Sequence, residues 1–112
     1  MPEITWEDFE RVDVRVGEVI EVEHFPEARK PAFKLVVDFG DSIGTRRTSA
    51  QLTTNYEPED LVGRQVVAVV NFPPKRIAGF KSEVLVLGVP DDEAEVVLLS
   101  PDRDVPPGGR MF

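Results

Sequence analysis

The stretch Val12-Asp13-Val14-Arg15-Val16-Gly17-Glu18-Val19-Ile20-Glu21-Val22-Glu23 decides the architecture. Val12, Val14, Val16, Ile20 and Val22 share one phase of a two-residue repeat, and Asp13, Arg15, Glu21 and Glu23 share the other. Side chains of an extended chain alternate between faces, so this pattern predicts a long strand with one face buried. Gly17 interrupts it and puts Glu18 in the apolar phase, which predicts a bulge or sharp bend. A long strand bent at an internal glycine suits a small closed barrel.

Upstream, Thr5-Trp6-Glu7-Asp8 reads as a helix start, with threonine as the cap and acids at the positive helix end. Trp6 and Phe9 lie three apart, so the helix is expected to pack one apolar face inward before ending near Arg11. Downstream, Phe33, Leu35, Val37 and Phe39 alternate with Lys34, Val36 and Asp38, a second strand. The segment from Gly40 to Gly44 is a hairpin connection, and residues 45–50 form the returning strand. Residues 57–63 read as one helical turn ending at a glycine. Residues 66–70 and 84–87 are continuously apolar and predict strands that are buried on both faces or close a barrel. Residues 90–93 form a turn, and residues 94–99 are the last strand. About six strands and only short helices in 112 residues predict a single all-β domain over 1–112. Its simplest form is a small closed antiparallel barrel of OB type, with additions at both ends.

Composition excludes several functions. There is no cysteine, hence no disulfide framework, thiolate metal site or cysteine nucleophile. The single histidine, His24, leaves no material for a multi-histidine metal site. No phosphate-cradling glycine loop is present and the acids show no acid–base pairing, so neither an enzyme nor a bound cofactor or metal is expected. No apolar run reaches the ~20 residues of a membrane span, and the N-terminus lacks a signal-peptide pattern, so a cytoplasmic location is expected. The net charge of −8 hides a division. Residues 1–28 hold nine acids and two arginines, residues 29–82 nine basic residues and five acids, and residues 83–112 seven acids and two arginines. A basic middle framed by acidic ends can orient an anionic ligand.

The basic middle supplies the candidate ligand-binding residues. Arg29, Lys30 and Lys34 form the densest cluster, on a loop and the strand that follows it, where OB folds bind ligands. Phe25 and Phe33 flank this cluster and could stack on a base or an apolar side chain, although Phe33 shares the core phase of Leu35 and Val37. Of Arg46 and Arg47, strand alternation sends one to solvent and one to the groove; Arg46 is the candidate ligand-binding residue of the two. Lys75, Arg76 and Lys81 form a second group after Asn71-Phe72-Pro73-Pro74. Asn71 either caps backbone groups at a strand end or hydrogen bonds a ligand. Ser82 and Glu83 have no evident activating base and read as polar contacts. Asp13 and Arg15 read as a structural ion pair, and Asp91, Asp92 and Glu93 as a solvated turn.

Several segments carry a family resemblance. Phe9-Glu10-Arg11-Val12-Asp13-Val14-Arg15-Val16-Gly17, Leu61-Val62-Gly63-Arg64-Gln65-Val66-Val67 with Asn71-Phe72-Pro73-Pro74, and Ser82-Glu83-Val84-Leu85 resemble the tRNA-binding domain family. Glu27-Ala28-Arg29-Lys30-Pro31-Ala32-Phe33-Lys34-Leu35, Ser49-Ala50-Gln51-Leu52-Thr53 and Asn71-Phe72-Pro73-Pro74-Lys75-Arg76-Ile77 resemble its CsaA-type branch of export-related chaperones. Where the wider family has Ser-Glu-Gly-Met, this chain has Ser82-Glu83-Val84-Leu85. The resemblance implies an OB-fold homodimer built by the terminal extensions, consistent with the large apolar Trp6, Phe9, Met111 and Phe112 at the chain ends. It implies unfolded or presecretory polypeptides as ligands and a link to the export machinery, with tRNA as the alternative ligand of the same basic surface.

Overall fold

The computed structural model describes residues 1–112. The bent strand is β1 (Val14–His24), and it belongs to two ladders. Residues 14–18 pair antiparallel with β4 (Gln65–Val69), and residues 18–24 with β2 (Phe33–Asp38). Glu18 lies opposite Gln65 in one ladder and Asp38 in the other. The bulge falls between Val19 and Glu21, beyond the glycine that suggested it. The extra residue, Ile20, leaves the ladder and is 40% exposed, and Val19 turns inward in its place. Ile20 departs from the expected apolar face because it is the inserted residue itself; beyond it Val22 packs against the core as expected. Val12 departs too, because it precedes the strand and is exposed. Gly17 serves packing: a Cβ there would stand 2.5 Å from Val37 Cγ1 and 2.7 Å from the Phe39 ring.

β2 turns through Gly40 and Gly44, at φ of +83° and +79°, into β3 (Thr45–Ala50). With β7 (Leu85–Val86) the sheet runs β3-β2-β1-β4-β7. Its two ends approach one another. The Glu83 N–H donates to the Arg47 carbonyl at 2.8 Å, the Arg47 N–H to Glu83 Oε1 at 3.0 Å, and Thr48 Oγ1 to the Val84 carbonyl at 2.7 Å. The result is a nearly closed five-stranded antiparallel barrel of OB type. Val19, Leu35, Val37, Phe39, Leu61 and Val66 fill its interior.

Two hairpins extend the barrel: β5 (Lys75–Ile77) with β6 (Phe80–Ser82), and β8 (Gly88–Pro90) with β9 (Val96–Leu98). The first was not legible as strands. The expected strand over 84–87 shrinks to β7, with Leu85 exposed, and the expected strand over 94–99 shrinks to β9.

α1 (Trp6–Glu10) is capped as read: the Asp8 N–H donates to Thr5 Oγ1 and the Thr5 N–H to Asp8 Oδ2. Its Trp6 does not pack inward; it is 80% exposed. α2 (Pro58–Leu61) buries Leu61, and Gly63 follows at φ +87°. The C-terminal tail lies along β1, on the edge opposite β4. The Val16 N–H donates to the Gly109 carbonyl at 3.0 Å, the Gly108 N–H to the Val16 carbonyl at 2.7 Å, and the Met111 N–H to the Val14 carbonyl at 2.8 Å. Asp13 anchors this tail through Arg15 at 2.7 Å and Arg110 at 3.5 Å, so the Asp13–Arg15 pair is structural. No helix is long and apolar enough to cross a membrane.

Candidate functional site

A small satellite core joins the two basic groups that the sequence separates by some forty residues. Phe25, Ala32 and Phe80 are buried together, with Ala28 and Ile77 packed against them. The Phe25 and Phe80 rings meet edge to face at 5.4 Å. This cluster pins the β1–β2 loop, bearing Arg29 and Lys30, to the β5–β6 hairpin, bearing Lys75, Arg76 and Lys81. All five of these cations are exposed. Between the two groups, Lys34 Nζ lies 4.8 Å from the Phe25 ring centroid and 5.3 Å from that of Phe80. The Arg47 guanidinium lies over Phe80 at 4.6 Å. A cation over an aromatic face is attracted by the ring quadrupole, so the rings fix where these two charges stand. None of these basic side chains forms an ion pair within the chain. They remain available to an anionic ligand.

Four of the residues singled out from sequence are engaged elsewhere. The Arg46 Nη1 donates to the Ile43 and Thr45 carbonyls, at 2.6 and 3.0 Å, and its Nε lies 4.0 Å from Glu83. Arg46 shares the inward phase of the buried Thr48, and so it is turned back onto the hairpin; Arg47 is the arginine that reaches the surface cluster. Asn71 Oδ1 accepts from the Asp13 N–H at 3.0 Å and Nδ2 donates to the Arg11 carbonyl at 2.7 Å, stapling the end of β4 to the start of β1. Phe33 is 2% exposed in the barrel core, and its ring meets that of His24 edge to face. Ser82 Oγ accepts from the Ser49 N–H at 3.1 Å and lies 3.1 Å from Thr48 Oγ1. Ser82 nevertheless lines the groove described next, as a fixed polar group in its wall.

That groove, a cavity of ≈ 500 Å³, opens beside the hairpin. Ala50, Leu52, Val84, Val86 and Val96 contribute its apolar lining, with Phe72, Pro73, Ile77 and Leu85, while Lys75 and Glu83 add charge. Phe72 is 53% exposed and Leu85 49%, so two large apolar side chains stand in solvent at one site. Sequence reading overlooked both. In the sequence Phe72 reads as part of a motif and Leu85 as strand interior. Leu85 carried a signal, since it replaces the methionine expected in the wider family.

The chain ends form a second apolar surface. Trp6, Phe9, Val12, Met111 and Phe112 line a cavity of ≈ 550 Å³ together with Glu10 and Arg110. Arg110 Nη2 donates to the Glu10 carbonyl at 2.6 Å, which ties the tail to the helix. The four residues expected at a dimer interface are thus brought together on one face.

The acidic turn is held by Asp91. Its carboxylate accepts from Asn55 Nδ2 and from the Glu93 and Glu95 N–H groups, at 2.8 to 3.0 Å. These bonds, Asn55's first, hold its pKa below the ordinary value of 3.8. The arrangement is a capped turn rather than an ion site.

Unpaired cations over aromatic rings and an adjoining apolar groove together suit a binding surface. Residues 14–110 match the family described as a tRNA binding domain. The chain is 39% identical over 111 residues to a methionine–tRNA ligase of Methanocaldococcus jannaschii; the match takes in 99% of this chain and 17% of the ligase. The chain therefore spans about a sixth of the length of such relatives. Two crystal structures are similar over their whole length. One is the chaperone CsaA from Bacillus anthracis (52% identity, TM-score 0.92, 99% of this chain and 100% of that one). The other is the CsaA chaperone protein from Picrophilus torridus (50% identity, TM-score 0.92, 98% of this chain and 100% of that one). With its barrel, its matched span and this degree of identity, the chain belongs to the tRNA-binding domain family, in its CsaA-type branch.

Proposed function

We propose that the chain is a non-enzymatic module that holds unfolded or presecretory polypeptide segments in the groove beside β5. The observation that carries this reading is the pair Phe72 and Leu85, half exposed above an apolar floor of Leu52, Val84 and Val86. Exposed apolar groups gathered at one site mark a place where a partner docks. Unfolded chains offer apolar side chains that folded proteins conceal, and a groove with a mainly apolar lining and polar groups such as Ser82, Lys75 and Glu83 in its wall can take many of them. The likeness to two CsaA chaperones at 52% and 50% identity supports the same reading.

In this reading the module acts in the cytoplasm as a homodimer joined through Trp6, Phe9, Met111 and Phe112, and it delivers presecretory chains to the export machinery. Two grooves per dimer raise the apparent affinity for a long client through effective concentration. Light scattering at micromolar concentration is expected to give twice the chain mass of 12.5 kDa. For the groove, the test is suppression of aggregation of a chemically denatured client. The wild-type chain is expected to suppress it, and a Phe72→Ser/Leu85→Ser variant with an unchanged melting temperature is expected not to. Equal suppression by both proteins would remove the groove from the account.

A second reading has its own support. The cations from Arg29 to Lys81 have no carboxylate partner within the chain and so suit an anionic backbone, and the matched family is described as tRNA binding. Binding of that kind is directed by RNA shape and phosphates and weakens steeply with salt.

A further inference from the structure

The hairpin that carries the second basic group ends in an unpaired edge. Lys75, Arg76 and Ile77 pair with Ser82, Lys81 and Phe80 across a two-residue turn. Its residues Ala78 and Gly79 have φ of +48° and +81°, the signature of a type I′ connection. In such a hairpin the pair flanking the turn, Ile77 and Phe80, exchanges backbone hydrogen bonds. Alternation then makes Lys75 and Ser82 a bonded pair and Arg76 and Lys81 a non-bonded one. The N–H and C=O of Arg76 therefore point away from β6. Nothing meets them: the sheet has two strands, and no backbone hydrogen bond outside the ladders involves residues 75–77. β6 is covered on its far side by β3, through the Ser49 N–H on Ser82 Oγ and the Glu83 N–H on the Arg47 carbonyl.

This edge borders the groove. Lys75 and Ile77, two apart and on one face of β5, both line it, with Phe72 and Leu85 among the other walls. Free donors and acceptors on a strand edge accept another strand, and main-chain pairing supplies affinity without demanding a sequence. Pro73-Pro74 before β5 and the tight turn after it confine the open edge to the Arg76 rung, too short to template aggregation.

Resting on the polypeptide-holding reading, we infer that the client binds as an extended strand added to β5. Its backbone pairs with the N–H and C=O of Arg76, and every second side chain lies over the groove towards Phe72 and Leu85. The recognised class is an extended segment with apolar residues at alternate positions. A helical segment of the same composition is excluded, because its backbone groups already pair with one another.

The test uses fluorescence anisotropy on the full chain with three labelled peptides. One alternates leucine and serine. The second is that peptide N-methylated at alternate backbone nitrogens, made in both registers. The third has the same composition with leucines at helical spacing. The expected result is that the parent binds, that one methylated register and the permuted peptide bind about tenfold more weakly, and that hydrogen exchange at the Arg76 amide slows in the parent complex. Equal binding of the parent and both methylated registers, with Arg76 exchange unchanged, would overturn the strand-addition inference and leave the groove as a side-chain site. If neither the peptides nor a denatured client binds, the polypeptide-holding reading itself fails.

Discussion

The Arg47 guanidinium lies 4.6 Å from the centroid of the Phe80 ring, which joins the outer face of β3 to the tip of the β5–β6 hairpin. Lys34 shares the same ring from β2 at 5.3 Å. One buried phenylalanine thus positions two like charges at the junction of the two basic groups. Neither charge has a carboxylate partner to neutralise it.

That arrangement separates two adjacent arginines. Arg47→Ala is expected to lower tRNA affinity several-fold and to reduce the slope of log affinity against log salt by about one, as loss of one phosphate contact does. Arg46→Ala, whose guanidinium is spent on the Ile43 and Thr45 carbonyls, is expected to leave that slope unchanged. Filter binding at several salt concentrations checks both. An equal loss for both variants would contradict the placement.

Asn71 is expected to matter for stability and not for ligands. Asn71→Ala leaves the Asp13 N–H and the Arg11 carbonyl without their partners. Both lie near the surface where water can replace the amide, so the cost is about 1 kcal/mol. Urea denaturation reads that cost, and peptide and tRNA titrations of the variant should match those of the wild-type chain.

Gly108→Ala tests the tail. Gly108 has φ +98°, and a Cβ there would collide with the Phe39 carbonyl oxygen. The variant is expected to free the tail from β1, so that hydrogen exchange at the Val16 amide accelerates and self-association weakens as Met111 and Phe112 leave Trp6. The fold itself should persist, because the barrel ladders do not use these residues. Unchanged Val16 protection would show that the backbone accommodates the methyl group.

The Asp91 turn carries a pH dependence of definite sign. Asn55, then the Glu95 and Glu93 amides, depress its folded-state pKa below 3.8. A depressed carboxyl stabilises the fold at pH above the ordinary value, and the contribution fades as pH falls through the lowered one. The gap in melting temperature between wild type and Asp91→Ala is therefore expected to be constant near neutrality and to shrink in strong acid, below pH 3.8. A gap that widens there would reverse the assignment.

The barrel was legible because its strands alternate. Phe33, Leu35 and Val37 bury and Lys34, Val36 and Asp38 do not, as a period of two requires. The bulge was legible in kind but not in place, since ladder register depends on the partner strand, which periodicity along one strand does not contain. The β5–β6 hairpin escaped because Lys75-Arg76-Ile77-Ala78-Gly79-Phe80-Lys81-Ser82 has hardly any alternation and turns at an alanine with positive φ. Phe80 buries there through contact with Phe25, fifty-five residues away in sequence. The two basic groups were visible as composition; their union was not, because a satellite core of distant residues creates it. Asn71 and Arg46 were chosen by residue type, and their partners, backbone carbonyls and an amide, are silent in sequence.

The central claim is that the groove beside Phe72 and Leu85 holds polypeptide. The most direct measurement is a competition titration at two salt concentrations, using a labelled unfolded presecretory peptide and labelled tRNA, on the wild-type chain and on Phe72→Ser/Leu85→Ser. The account predicts that the peptide binds the wild type with little salt dependence and loses at least tenfold in affinity on the variant, while tRNA is weaker or is displaced. Steeply salt-dependent tRNA binding that the variant leaves intact, with no peptide binding and no competition by peptide, would contradict it.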